Sequence, residues 1–149
     1  MHTTPCSRGG DEGISWRPKL ISINVSAWAS GKRLLQSAGF DADVVVVQEH
    51  HLAGDDDIAE ASSWAWQAGY SSVWAPAIGT EAGGTSGGVA VLVRRPFSLL
   101  RTRSSTEQQF RHRLVSCIAE LGPLGQVAVC SVYLRVGSGL DDYNIKLLA

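Results

Sequence analysis

Four consecutive valines, Val44–Val47, constrain the fold of this chain more than any other segment. β-Branched side chains favour extended backbone, and a run that is apolar at every position lacks the alternation of a half-exposed strand. The run therefore predicts a central strand that is buried on both faces. Gln48 and Glu49 follow directly, which puts a carboxylate at the carboxyl end of that strand.

The first half of the chain alternates between strand and helix patterns. Strands are predicted over residues 19–25 and 70–74, on either side of the valine strand. Ser30 is expected to cap a short helix that stops at Gly39. Asp55–Asp57 are expected to cap a second helix, because carboxylates complement the positive end of the helix dipole.

Beyond a glycine-rich loop over residues 79–88, the hydrophobic period becomes two, which is typical of antiparallel strands. The predicted strands are 89–93, 98–103, 113–121 and 127–133, and a helical pattern begins at Asp141. This order predicts an α/β (α+β) fold, with a mixed, mostly antiparallel sheet and helices on one face. We expect a flexible leader over residues 1–18 and one domain over residues 19–149.

Composition excludes several classes of protein. With 44% hydrophobic and 18% charged residues, the chain is typical of a globular domain and unlike a disordered or coiled-coil sequence. No apolar run approaches the roughly 20 residues of a membrane helix, and the N-terminus lacks a signal-peptide pattern. The three cysteines include no C-x-x-C pair. We therefore expect an intracellular protein, cytoplasmic or nuclear, without a membrane association.

Charge is distributed unevenly along the chain. Residues 1–93 carry 5 basic and 10 acidic side chains, whereas residues 94–149 carry 8 basic and 4 acidic ones. Six arginines lie close together in sequence between Arg94 and Arg113. This asymmetry fits a site that holds both a cation and a polyanion, and it fits a mixed, solvated surface equally well.

Several short motifs match known sites without the required context. Gly84–Gly88 matches the G-x-S-x-G nucleophile elbow, but a β-branched run follows the serine where a helix is needed. His50 and His51 are adjacent, so on a strand they would point to opposite faces and could not chelate one ion together. His112 lies among arginines and is expected at the surface. Glu49 is the stronger candidate, because a carboxylate at the end of a buried strand suits a hydrated Mg²⁺.

Five segments together resemble the endonuclease/exonuclease/phosphatase superfamily, whose members include deoxyribonuclease-I-like enzymes and apurinic endonucleases. Residues 21–25 (Ile-Ser-Ile-Asn-Val) are similar to its opening strand, and residues 43–49 to its Gln-Glu strand. Residues 86–92 are similar to its S/T-G-G-V-A strand, and residues 113–115 and 129–133 to its R-hydrophobic and V-x-x-V-Y strands. The sequence of residues 48–52 (Gln-Glu-His-His-Leu) most resembles that of the retroelement-type branch.

The resemblance implies half of a four-layer α/β sandwich and metal-dependent phosphoester hydrolysis. By position, Glu49 would bind a divalent metal, Mg²⁺ or Mn²⁺. Asn24 would help to order the metal's waters and the scissile phosphate. Tyr133 would place its hydroxyl near the phosphate, and Arg113 would bind the phosphate by charge. DNA is the expected partner.

The sequence departs from the family pattern in two places. Ser26 stands where the apurinic-endonuclease branch has an aspartate two residues after the strand-one asparagine. The G-D-x-N and D-H motifs, which carry the water-activating base and a phosphate-pairing histidine in the family, do not occur in this sequence. We therefore expect the domain to be incomplete at its C-terminus, with one inner sheet face uncovered and available for self-association.

Three functions remain open on this basis. The first is an Mg²⁺-dependent endonuclease whose water-activating motifs are missing from this chain, so that the chain alone is expected to be inactive. The second is a catalytically inactive module that retains nucleic-acid binding. The third is a phosphatase of the same superfamily, which the excess of arginine cannot separate from a nuclease.

Overall fold

The computed structural model describes residues 16–104, 107–137 and 139–148, and these residues form two packed sheets, a separate two-stranded sheet and three α-helices. The strands are β1 (Leu20–Asn24), β2 (Val44–Gln48), β3 (Tyr70–Ala75), β4 (Ile78–Gly79), β5 (Thr85–Ser86), β6 (Val89–Arg94), β7 (Ser98–Ser104), β8 (Leu114–Glu120) and β9 (Gln126–Val132). The helices are α1 (Trp28–Leu35), α2 (Asp55–Gln67) and α3 (Asp142–Leu148). The predicted strands are confirmed to within two residues at each end.

The larger sheet has the strand order β1-β2-β6-β3. Strand β1 runs parallel to β2, whereas β6 is antiparallel to both β2 and β3. The parallel register pairs Asn24 with Gln48, so β1 and β2 end at the same rim of the sheet. The smaller sheet, β7-β8-β9, is antiparallel throughout. This mixed, mostly antiparallel α/β architecture confirms the predicted fold class.

The valine strand β2 is covered on both faces, as its sequence predicts. Val45 and Val47 pack in a cluster with Trp28 of α1 and Ala61 of α2. Val44 and Val46 face the opposite way, into a core shared with the smaller sheet. The layers are therefore helices, the larger sheet and the smaller sheet.

The expectation of an uncovered inner face is wrong for the centre of the larger sheet. Val44, Val89 and Val91 have no exposed surface, because the smaller sheet lies against them. Only at the edge strand β1 does the inner side remain open, where Leu20 is 57% exposed. The apolar surface that self-association was expected to use is thus already buried within the described residues.

Helix α1 begins two residues earlier than its predicted cap. Ser30 lies inside the helix, and the N-cap is Ala27, whose side chain makes no capping hydrogen bond. A contact distant in sequence anchors the helix instead, since the Trp28 amide donates to the His50 carbonyl over 3.1 Å. Similarly, Gly54 is the N-cap of α2, and Asp55–Asp57 occupy the first turn.

The ends of the described chain bear on two further expectations. Residues 1–15 of the expected leader lie outside the described residues, and Trp16 packs on Phe97 with a ring-centroid distance of 5.3 Å. None of the described helices combines the length and hydrophobicity that crossing a bilayer requires.

The arginines that are neighbours in sequence are dispersed in the fold. Arg94 lies at the end of β6 away from Asn24 and pairs with Asp41 over 2.8 Å. Arg95 stacks on Trp66, whereas Arg101 and Arg103 line a groove on the smaller sheet. The sequence cluster therefore does not form one basic patch.

Candidate active site

Asn24 and Glu49 meet where β1 and β2 end. The Asn24 side-chain amide donates from Nδ2 to Glu49 Oε2 over 2.6 Å. The Asn24 carbonyl oxygen Oδ1 accepts from the Ser26 backbone N–H over 3.2 Å, which fixes the orientation of the amide. Parallel pairing of two adjacent strands thus delivers an amide and a carboxylate to one point.

The backbone at this rim is strained. Ser26, Glu49 and His51 have φ angles of 53°, 57° and 60°, and they are the non-glycine residues with positive φ in the described part of the chain. L-residues rarely adopt this conformation, and such strain concentrates at functional sites. Two hydrogen bonds maintain it, from His50 N to the Gly88 carbonyl and from His51 N to the Gly87 carbonyl, each 3.2 Å long.

His50 packs underneath this strained turn as a neutral, buried ring. It is 1% exposed and contacts Trp74 edge-on, with ring centroids 5.2 Å apart. Its Nδ1 accepts from the Leu52 amide over 3.1 Å, so the ring supports the backbone that carries Glu49. Burial disfavours the imidazolium form and lowers the pKa of His50 to about 4.

This buried histidine predicts acid sensitivity. In the unfolded chain the pKa of a histidine is about 6.5, so below that pH the unfolded state binds a proton that the folded state excludes. For the lowered pKa of about 4, we expect the free energy of unfolding to fall by about 2 kcal/mol between pH 7 and pH 5. Urea unfolding at both pH values, with an NMR titration of the His50 ring, measures this. A ring that titrates near pH 6.5 would contradict the expectation.

Arg113 and Tyr133 approach Glu49 from the smaller sheet, just before β8 and just after β9. They are joined by a backbone hydrogen bond from Tyr133 N to the Arg113 carbonyl (2.8 Å), and Arg113 Nη1 donates to the Tyr133 carbonyl (3.3 Å). The guanidinium carbon lies 4.9 Å from the centroid of the Tyr133 ring. This stacking holds the Arg113 guanidinium beside the Tyr133 phenol.

The lowered pKa of Glu49 reflects how close its carboxyl lies to Tyr133, Asn24 and Arg113. Hydrogen bonding with the Tyr133 hydroxyl is the largest influence and lowers the pKa of the Glu49 carboxyl, whereas burial raises it. The Asn24 hydrogen bond and the charges of His51 and Arg113 lower this pKa further. Burial, followed by hydrogen bonding to Glu49, raises the pKa of Tyr133. The structure therefore brings the four candidate residues Asn24, Glu49, Arg113 and Tyr133 together, with Glu49 ionised.

The donor set at this rim fits a hard, hydrated cation. Among the described residues, no group of three or more His, Cys, Asp or Glu side chains could hold a metal ion. Mg²⁺, however, is commonly bound through one or two carboxylates and retains several waters. Glu49 would supply the carboxylate, and the fixed Asn24 amide would orient water.

Several neighbouring residues lie at positions that the sequence did not predict. His112 was expected at the surface but is only 5% exposed, because it lies beneath the Gly87 backbone. Arg135 and Tyr143 line a cavity together with Arg113 and were not candidates. No local sequence pattern indicates that Arg135 lies beside Arg113, so only the folded arrangement brings it to the site.

Two solved structures have a similar fold. The 3′ phosphatase NExo from Neisseria, solved with a product DNA hairpin, has a TM-score of 0.57 and 22% sequence identity over 87% of this chain and 46% of that chain. An AP endonuclease from Archaeoglobus fulgidus has a TM-score of 0.58 and 16% identity over 89% of this chain and 48% of that chain. The chain thus spans about half the length of each.

A comparison with curated protein sequences finds no match. A family model, described as the endonuclease/exonuclease/phosphatase family, matches residues 21–140. The matched residues include Asn24, Glu49, Arg113 and Tyr133. Since the match covers most of the sequence, the chain belongs to the endonuclease/exonuclease/phosphatase family.

Proposed function

We propose that this chain carries the metal-binding and phosphate-binding half of a metal-dependent phosphodiester hydrolase that acts on DNA. The observation that carries the proposal is the 2.6 Å contact between Asn24 and Glu49, beside Tyr133 and Arg113. An ionised carboxylate, a fixed amide, a phenol and a guanidinium are together a set that binds a dication and a phosphate.

Each side chain has a distinct role in this proposal. Glu49 holds Mg²⁺ or Mn²⁺, which when bound neutralises charge developing on the phosphoryl oxygens. Asn24 orients water around the cation and donates to the phosphate. Tyr133 places its hydroxyl near the phosphate, and Arg113 contributes a guanidinium that stays protonated at physiological pH. Fixed donors of this kind stabilise a transition state without reorganising.

A second candidate is a module that binds nucleic acid without turnover. The G-D-x-N and D-H motifs do not occur in this sequence, and the family resemblance implies that the water-activating base belongs to them. Such a module would retain the metal and phosphate contacts and lack only the nucleophile. Both candidates predict that the chain binds nucleic acid, and only the first predicts that it cleaves it.

The test combines binding and cleavage on a single substrate. A labelled duplex with one abasic site is incubated with the purified chain in Mg²⁺, in Mn²⁺ and in EDTA. Because the water-activating motifs do not occur in this sequence, we expect only slow strand cleavage, and this cleavage should require the dication. Binding without cleavage would favour the second candidate, and release of inorganic phosphate from a 3′-phosphorylated duplex, without strand cleavage, would favour a phosphatase. The absence of both binding and cleavage would overturn the proposal.

A further inference from the structure

A cavity of about 350 Å³ lies beside Arg113, next to the candidate active site. Its lining is mixed, with the apolar side chain of Ile78 beside polar and basic side chains. The residues that the argument uses are Gln109, His112, Arg113, Arg135 and Tyr143. Arg113 thus borders both the cavity and the phosphate site at Glu49.

Two guanidinium groups surround one aromatic ring in this cavity. The Cζ atoms of Arg113 and Arg135 lie 6.0 and 5.7 Å from the centroid of Tyr143. The ring itself is fixed, since its hydroxyl donates to the Gln109 carbonyl over 2.9 Å and its edge packs against Phe110. Among the described residues, neither arginine has a carboxylate within 4.0 Å. Arg113 shares its charge with Glu49, whose pKa it lowers, so Arg135 supplies the excess positive charge that attracts an anion to this cavity.

The Arg135 backbone is held rigidly by a buried asparagine. Asn144 is fully buried, accepts from the Arg135 N–H at Oδ1 over 2.7 Å, and donates from Nδ2 to the Arg135 carbonyl over 3.1 Å. Asp141, the nearest acidic residue of the same segment, accepts from the Asn144 backbone amide over 2.9 Å. The main chain of Arg135 is therefore preorganised while its side chain remains exposed.

His112 adds a buried donor that lacks an acceptor. Its Nε2 accepts from Arg113 Nε over 3.0 Å, so the proton of the neutral ring resides on Nδ1. The Nδ1 atom is buried and has no hydrogen-bond partner among the described residues. An unpaired buried donor costs free energy, and an acceptor supplied by a ligand would remove that cost.

We propose that this cavity is a second phosphate subsite, which binds the phosphodiester adjacent to the one at Glu49. This inference rests on the proposed function and sharpens it, because it makes the substrate a nucleic-acid strand rather than a single phosphate ester. The two guanidiniums share one ring and so lie no more than about 12 Å apart. A strand carries a phosphate about every 3.4 Å along its axis, so neighbouring phosphates reach both groups.

The test measures metal-free binding of fluorescein-labelled single-stranded 12-mer DNA by anisotropy, in EDTA at several NaCl concentrations. Three variants are compared with the wild type: Arg135→Gln, Arg135→Lys, and Arg101→Gln as a matched control on the smaller sheet. We expect R135Q to weaken binding five- to tenfold and to reduce the salt slope by about 0.7, the value for one single-strand phosphate contact. R135K should retain the slope, and R101Q should change affinity less than twofold.

A length series identifies which ligand fills the cavity. Competition by thymidine monophosphate and by oligothymidylates of two to four phosphates should show a gain in affinity at the second phosphate, which R135Q removes. Equal losses in R135Q and R101Q, no gain at the second phosphate, or no DNA binding by the wild type would each overturn the inference. Because the assay needs neither metal nor turnover, a chain that shows the R135-dependent gain without Mg²⁺-dependent cleavage refutes the proposed hydrolase and not the subsite.

Discussion

Glu49→Gln is expected to weaken Mn²⁺ or Mg²⁺ binding at least about 100-fold and to abolish metal-dependent cleavage. Loss of groups that merely support a metal ligand already costs 10- to 100-fold, and this substitution removes the charged ligand itself. Glutamine preserves the size of the side chain and an oxygen that can accept from Asn24 Nδ2. The loss would therefore report charge rather than shape. Mn²⁺ titration followed by electron paramagnetic resonance measures the affinity directly.

The matched control is Glu120→Gln. Glu120 is an exposed carboxylate at the far end of β8, away from Arg113. This variant has the same change of charge and should bind Mn²⁺ as the wild type does. If E49Q and E120Q retain equal affinity, Glu49 is not the metal ligand and the proposed function fails.

Gly88→Ala should produce the largest loss of stability, about 3 kcal/mol or more. Gly88 has a φ of +86°, which costs an L-residue about 1–2 kcal/mol. A Cβ at this position would also lie 2.5 Å from Cε1 of the buried His50 ring. Overpacking in a rigid core adds about 1–3 kcal/mol, and His50 cannot move without disturbing the turn that carries Glu49. Urea unfolding monitored by circular dichroism measures the change.

Gly84→Ala serves as the control for that experiment. Gly84 is exposed, and an added Cβ would approach only Thr80 Oγ1, at 3.6 Å. Its stability should remain within about 0.5 kcal/mol of the wild type. If G88A is equally benign, the contact between Gly88 and His50 does not support the turn as we describe it. Loss of Mn²⁺ affinity in folded G88A would in turn show that this packing positions Glu49.

The parts of the fold that follow from local pattern were predictable from sequence. The valine run predicted a central strand, because β-branched residues favour extended backbone and all four are apolar. Asn24 and Glu49 meet because β1 and this strand run parallel and end at the same rim. The start of α1 was wrong because the fold caps it through the His50 carbonyl, 22 residues away. No local propensity encodes such a contact.

The residues of the candidate site also fall into two groups, those that a sequence pattern locates and those that only the fold brings together. Glu49 and Asn24 lie at strand ends, where a sequence pattern can locate them. His112 was misjudged because its arginine neighbours indicated solvent, whereas the Gly87 backbone, 25 residues earlier, covers the ring. The Arg135 subsite depends on Asn144, which serves as a backbone clamp from a helix. Predicting that role requires knowing that α3 packs against the segment after β9, where Asn144 bonds the Arg135 backbone.

Strand β9 has consequences for handling the protein at the bench. Within the described residues it pairs with β8 along one side only, so a row of main-chain donors and acceptors on its other side stays open. Open edges of this kind template intermolecular ladders, and concentrated samples should gain cross-strand aggregates. The same strand exposes Cys130, but partial burial raises the pKa of its thiol, so these encounters should stay reversible rather than oxidise readily to a disulfide-linked dimer.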